Sequence, residues 1–165
     1  MTWKLNHRNG EIYDAGFSLL TRADLPLIRK SEGWSRGLNW SEYFQKNHEY
    51  TAYKLHIIGN NINNIIQGLI AIAFREGYVE LELTEKAPLN RKPSQQFINA
   101  GEVLFAQACL FSLENGGDGY VLLKAKTGLM EYYIDHYGME VVNSKQRLLA
   151  IPPLEAKRLI GLYYI

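Results

Sequence analysis

Between Thr51 and Leu83 the apolar residues recur at every second position or in short unbroken runs, which is the pattern of strands rather than helices. TAYKLHIIG and IIQGLIAIAF are rich in β-branched and aromatic residues, and the polar stretch NNINN between them predicts a hairpin. A second turn at Arg75-Glu76-Gly77 feeds the strand YVELEL, Tyr78 to Leu83. Strict alternation puts Val79, Leu81 and Leu83 on one of its faces and Glu80 and Glu82 on the other. At Gly101 the period lengthens to that of an apolar-faced helix running to Asn115. The cluster Gly116-Gly117-Asp118-Gly119 ends it, glycine being the residue that supplies a positive-φ cap. Tyr120 to Ala125 then reads as a buried strand. A strand-helix-strand crossover from Tyr78–Leu83 makes the two strands parallel. Leu129 to Tyr137 predicts a helix, and Glu140–Val142 with Gln146–Ile151 a closing hairpin through Asn143-Ser144-Lys145. Pro153 opens a last helix, LEAKRLIGLYY.

Residues 1 to 49 are patterned less clearly. Phe17 to Leu20 reads as a short strand, and Thr21 as the N-cap of a helix through Ala23, Leu25, Leu27 and Ile28, with Pro26 tolerable only in its first turn. Glycines at 33 and 37 break that helix. WSEYFQK follows as a short helix with Trp40, Tyr43 and Phe44 on one side. The expected class is α+β: a mostly antiparallel twisted sheet with one parallel pair and helices on both faces, in a single domain over residues 1–165. Residues 1–49 form one side of it, 50–151 the sheet, and 153–165 the final helix.

Composition narrows the function without naming it. The 165 residues, 47% hydrophobic and 21% charged, describe one ordinary globular domain. Eighteen basic against seventeen acidic residues give a net charge of +1, so bulk charge predicts no nucleic-acid partner. Cys109 is the only cysteine and excludes an internal disulfide; in mid-helix beside Phe105, Ala108 and Leu113 it reads as a small hydrophobe. The start MTWKLNHRNG lacks a signal-peptide core and no apolar run is long enough to cross a bilayer, so a cytoplasmic protein is expected. The histidines at 7, 48, 56 and 136 have no metal-ligand spacing, and neither a P-loop nor a dinucleotide fingerprint occurs.

The chemistry is concentrated where the strand ending at Leu83 delivers the loop TEKAPLNRKPSQQFINAG onto the helix at Gly101. The first turn of a helix points unpaired amides outward and carries partial positive charge, a ready seat for phosphate. Gln96-Phe97-Ile98-Asn99-Ala100-Gly101 resembles the Q/R-x-x-G-x-G/A motif of the GNAT acyltransferase superfamily, in which this loop wraps the pyrophosphate of acetyl-coenzyme A. Asn99 stands where the family has its first glycine, and its short amide tolerates a left-handed backbone. The loop from Pro88 to Gln96 is longer than usual. YVLLKAKTGLMEYYIDHYGM, Tyr120 to Met139, resembles the later GNAT strand-helix unit, with Tyr133 in the place of the family's tyrosine. APLNR, LFAQACLFSLENGGDGYV, AKTGLMEYY and QRLLAI resemble a group of small bacterial members regarded as acetyltransferases.

The resemblance implies a GNAT-like sheet that splays its parallel pair around the pantetheine arm of acetyl-CoA, the co-substrate, with no metal. Leu83 and Thr84 would meet the arm through main-chain groups, Gln96, Phe97, Ile98, Asn99, Ala100 and Gly101 the diphosphate, and Lys126 the arm. Arg91 and Lys92 flank the loop as further candidates for phosphate. For the base that takes a proton from an acceptor amine, Glu80, Glu82 and Glu85 are candidates, Glu85 lying at the open end of the strand. Tyr133 is the candidate acid for the departing thiolate, with Tyr132 and Tyr137 as neighbours and Tyr137 one helical turn away. The early helices would wall the acceptor pocket, which makes Trp34, Trp40 and Tyr43 either lining or core. The expected activity is direct transfer of an acetyl group to an amine, small-molecule or peptide. Two readings stand beside it: a GNAT-fold protein that binds acyl-CoA or a partner without turnover, and an interaction protein whose tail LYYI docks on a second subunit as a homodimer.

Overall fold

The computed structural model describes residues 1–34, 39–45, 48–59 and 65–165. Eight strands form one sheet: β1 (Trp3–Asn6), β2 (Ile12–Leu19), β3 (Thr51–Ile57), β4 (Ile66–Arg75), β5 (Tyr78–Lys86), β6 (Val121–Lys124), β7 (Glu140–Asn143) and β8 (Leu148–Ile151). Their order is β1-β2-β3-β4-β5-β6-β8-β7. Only β5 and β6 are parallel, joined across α1 (Ala100–Glu114); the other neighbours are antiparallel. Two further helices, α2 (Met130–Tyr137) and α3 (Pro153–Tyr163), follow the sequence expectation to within a residue or two.

β4 is the centre. Its residues Ile66 to Ala73 are all buried, because both faces of the strand are covered. One face, with Leu55, Ile70, Ile72, Val79, Leu81, Val121 and Leu149, packs against α1, α2 and α3. α1 comes so close that a Cβ on Gly68 would lie 3.0 Å from Leu104 Cδ2, which is why that strand position is bare. The opposite face, with Ile66, Leu69 and Ala71, carries short 3-10 helices at Arg22–Leu27, Lys30–Glu32 and Trp40–Phe44; Trp40 and Tyr43 of the last, with Trp34 just beyond the second, fill the second core.

Several expectations are corrected. The helix capped by Thr21 is a single 3-10 stretch and not an α-helix, because Pro26 falls within it and cannot donate the next backbone bond. Asp24 completes the cap by accepting from the Thr21 amide at 2.8 Å, and Lys54 neutralises it at 2.8 Å. The strand near Phe17 begins at Ile12 and pairs with β1, a strand of four residues, too short for its alternation to stand out in the sequence. The tail LYYI packs on its own chain: Thr2 and Ile165 exchange backbone bonds of 3.1 and 3.0 Å, and the Tyr164 ring meets Trp3 at 4.7 Å, tilted by 44°. The turn NNINN, Gly37 and Lys46 lie outside the described residues.

Candidate functional site

β5 and β6 run together for only three residue pairs, Val79↔Val121, Glu80↔Leu122 and Leu81↔Leu123. They then part. Ala125 N donates to Arg147 O at 2.9 Å and draws the chain toward β8, while β5 continues to Lys86 against β4 alone. A small cleft of about 80 Å³ opens in the fork, lined by Glu82, Leu83, Thr84, Leu123, Lys126 and Tyr133 among others. It shares Thr84, Phe105, Lys126 and Tyr133 with a cavity of about 510 Å³ that reaches Lys86, Ile98, Gly101 and Glu102 at the mouth of α1.

The register of β5 against β4 slips by one residue between Ala71 and Ile72, so that Glu82 is the extra residue of a bulge. The slip overturns the simple alternation. Val79 and Leu81 face α1, but Leu83 packs with Trp40 and Tyr43 on the opposite side. The three carboxylates consequently have different fates. Glu80 is held by Arg75 at 3.1 Å and by the Tyr50 hydroxyl. Glu85, only 5% exposed, accepts from Trp40 Nε1 at 2.7 Å and pairs with Arg91 at 2.6 Å. Glu82 opens onto the cleft, accepts from the Tyr43 hydroxyl at 3.1 Å and has no cation within salt-bridge distance among the described residues. Partial withdrawal from water, helped by the carboxylates of Glu42 and Glu80, holds its carboxyl above the usual range, against the opposing pull of the Tyr43 hydrogen bond and of His48. Trp40 and Tyr43 are thus both core residues and the donors that fix two carboxylates.

On the facing side, Phe105 of α1 forms the floor and the tyrosines of α2 the wall. Tyr133 and Tyr137 meet the Phe105 ring edge-on at centroid distances of 5.4 and 4.8 Å. Tyr133 is half-buried, its hydroxyl bonds to no protein group among the described residues, and burial pushes its pKa up. A hydroxyl so placed keeps its proton until a stronger base reaches it. Tyr137 is buried, and its oxygen would stand 3.7 Å from a Cβ on Gly101; Tyr132 is 51% exposed and stacks on His136.

The loop before α1 is fastened by side chains that the sequence did not flag. Buried Asn90 donates to Gln67 O at 2.9 Å and Gln67 Oε1 at 3.0 Å, and accepts from the Phe97 amide at 2.9 Å. Gln96 N donates to Leu89 O and Ile98 N to Asn6 O, both at 2.9 Å. Those three loop amides are therefore spent inside the protein. Asn99 differs from expectation too: its φ is −113°, not left-handed, and its side chain bridges Asn6 N at 2.8 Å and Lys4 O at 2.9 Å. It is a tie to β1 across 93 residues of chain. Of the six motif residues, Ile98 and Gly101 line the cavity while Gln96, Phe97, Asn99 and Ala100 do not.

The free donors are the amides of Ala100, Gly101 and Glu102, which have no acceptor among the described residues. Lys86 and Lys126 line the same cavity and form no ion pair among the described residues, and Lys86 Cδ lies 3.5 Å from a Cβ on Gly101. Glu102, in the first turn, is turned to His136 at 2.9 Å. Arg91 is committed to Glu85 and, through its other nitrogen, to Gly33 O at 2.9 Å, while Lys92 does not line the cavity. Lys86 lies at the end of β5, which runs three residues beyond the expected Leu83, so the sequence pattern placed it in the loop. Cys109 is fully buried, its thiol pushed up to about 12, and no group of three metal-ligating side chains occurs among the described residues. No helix among them is long and apolar enough to cross a membrane.

No protein-family model and no curated protein sequence matches the chain. Solved structures do. The ribosomal-protein-S18-alanine N-acetyltransferase from Escherichia coli superposes with a TM-score of 0.54 at 14% identity, over 83% of this chain and 90% of that one. The complex AtaTR bound with AcCoA gives 0.55 at 15% identity, over 89% and 98%. A spermidine N-acetyltransferase chimera from Vibrio cholerae and hSSAT gives 0.56 at 11% identity, over 87% and 98%. Identities this low speak to architecture alone, and together with the forked parallel pair and the helix mouth beside it they establish that this chain has the GNAT N-acetyltransferase fold.

Proposed function

We propose that the protein is an N-acyltransferase that passes the acetyl group of acetyl-CoA directly to an amine, with no covalent intermediate on the protein. The observation that carries this reading is the fork itself: an unzipped parallel pair with an open carboxylate, Glu82, on one side and on the other the hydroxyl of Tyr133, which has no partner among the described residues. The acceptor amine loses a proton to Glu82, whose raised pKa suits it as a base, and its lone pair attacks the thioester carbonyl carbon. Collapse of the tetrahedral intermediate breaks the C–S bond, and Tyr133 gives its proton to the departing sulfur. The two lysines and the three open amides supply positive potential for the diphosphate. Leu83 and Thr84 offer backbone to the carrier arm along the unpaired edge of β5. That a neighbour of the same fold is described as bound with AcCoA supports the choice of co-substrate.

The test is release of free thiol from acetyl-CoA in the presence of a panel of small amines, amino acids, aminoglycosides and peptides. Turnover with at least one acceptor, slowed about 10²-fold or more by Tyr133→Phe, is expected. A second reading, a GNAT-fold protein that binds acyl-CoA without turnover, draws support from the spent amides of Gln96, Phe97 and Ile98 and from Glu102 at the helix mouth. Coenzyme binding with no thiol release across the panel would select it.

A further inference from the structure

Glu85 occupies an unusual position for a buried carboxylate. One oxygen takes the indole N–H of Trp40 at 2.7 Å, from the 3-10 helix in the second core, on the face expected to wall the acceptor. The other takes Arg91 at 2.6 Å, and the same guanidinium reaches Gly33 O at 2.9 Å. Arg91 belongs to the long loop that leads into the mouth of α1, where Gln95 N returns to Arg91 O at 2.8 Å. Glu85 at the end of β5 and its partner Arg91 therefore tie Trp40 of the second core and the backbone at Gly33 to the loop that shapes the cavity at the mouth of α1.

We propose that Glu85 is a positioning residue that couples the acceptor wall to the coenzyme loop, and not the general base. The inference rests on the acyl-CoA reading of the cavity. With both oxygens occupied at short range, Glu85 is poorly placed to accept a proton from substrate, whereas Glu82 faces the cleft with no cation on it among the described residues. The consequence is communication in both directions: disturbing the wall changes coenzyme affinity, and loading the coenzyme stiffens the wall.

The sign of one substitution separates this from simple electrostatics. Glu85 lines the cavity that would hold an anionic diphosphate. If it acted there only as a negative charge, Glu85→Gln would strengthen acetyl-CoA binding or leave it unchanged. As a positioning residue it weakens binding, by about fivefold or more given the interaction energies of hydrogen-bonded networks. Trp40 lines neither the cavity nor the cleft, yet Trp40→Phe, which removes the indole donor while keeping an aromatic ring in the core, should weaken acetyl-CoA binding severalfold.

The experiment is calorimetric titration of acetyl-CoA into the full-length wild type, Glu85→Gln, Trp40→Phe and Asp118→Asn, an exposed site that lines neither the cavity nor the cleft, each checked for a native near-ultraviolet spectrum. Weakened binding in the first two variants, with Asp118→Asn within about twofold of wild type, supports the coupling. Unchanged or tighter binding in Glu85→Gln or Trp40→Phe overturns it while leaving the acyltransferase reading intact. Arg91→Lys provides a second route should either variant fail to fold, since an ammonium cannot span Glu85 and Gly33 as the fork does. It too must weaken binding for the coupling to stand. Absence of binding in the wild type overturns both.

Discussion

Asn90→Ala isolates the fastening of the coenzyme loop. Asn90 is 1% exposed and makes three hydrogen bonds, two as donor to Gln67 and one as acceptor from the Phe97 amide. Gln67 O keeps a partner after the truncation, because Ala87 N also donates to it at 3.1 Å. Gln67 Oε1 and the Phe97 N–H do not, and both residues are buried, at 4% exposure each. An orphaned buried polar group costs about 1–3 kcal/mol, so the expected loss is about 2–5 kcal/mol, a large share of the stability of a domain this size. Asn90→Asp sharpens the argument. It preserves volume and the acceptor for Phe97, but sets a carboxylate against two oxygens of Gln67, and should cost at least as much as alanine. Urea denaturation followed by circular dichroism measures both. Losses under about 1 kcal/mol for both variants would refute the idea that this side chain, and not local backbone preference, holds the loop.

Four further outcomes follow from the structure. Glu82→Gln should remove the acid limb of the pH-rate profile, which in the wild type lies above the range of an ordinary glutamate because the carboxyl is held protonated longer. The same raised pKa makes the folded state bind a proton more tightly than the unfolded one. Its stabilising contribution is therefore present in acid and lost as pH rises through the folded value, so Glu82→Gln should melt slightly higher than wild type at neutral pH, with the difference vanishing below about pH 4. Gly101→Ala should fold normally, since its Cβ would meet Lys86 Cδ at 3.5 Å and Tyr137 Oη at 3.7 Å, both ordinary contacts. The methyl would project into the helix mouth, so weaker acetyl-CoA binding is expected by calorimetry. Cys109, fully buried with its thiol pushed up to about 12, should resist a chromogenic disulfide until the protein is denatured, leaving a clean background for the thiol-release assay.

The central sheet was legible because its burial is written locally. β4 is apolar on both faces and β5 alternates, and α1 is bounded by the loop before it and by the glycines after it. The bulge at Glu82 was not, since an inserted residue leaves the alternation of YVELEL intact and shows itself only in the slipped pairing with Ala71 and Ile72. β1 is four residues long and its partner lies across Asn9-Gly10, a turn signal that was present but unread. The site was half legible for a related reason. Tyr133 and Gly101 stand on regular elements whose faces follow from periodicity, whereas Asn99, Asn90 and Glu85 take their roles from partners 93, 23 and 45 residues away. A side chain's neighbours at that range are fixed by topology, and a motif match gave Asn99 a backbone role that its amide does not play.

The most direct measurement is a crystal structure of the protein grown with acetyl-CoA. Density for the diphosphate at the amides of Ala100, Gly101 and Glu102, with the thioester between β5 and β6 and its sulfur within about 3.5 Å of Tyr133 Oη, is the predicted result. Coenzyme bound elsewhere, or a fork that excludes it and leaves Tyr133 hydrogen-bonded to the protein, would contradict the assignment.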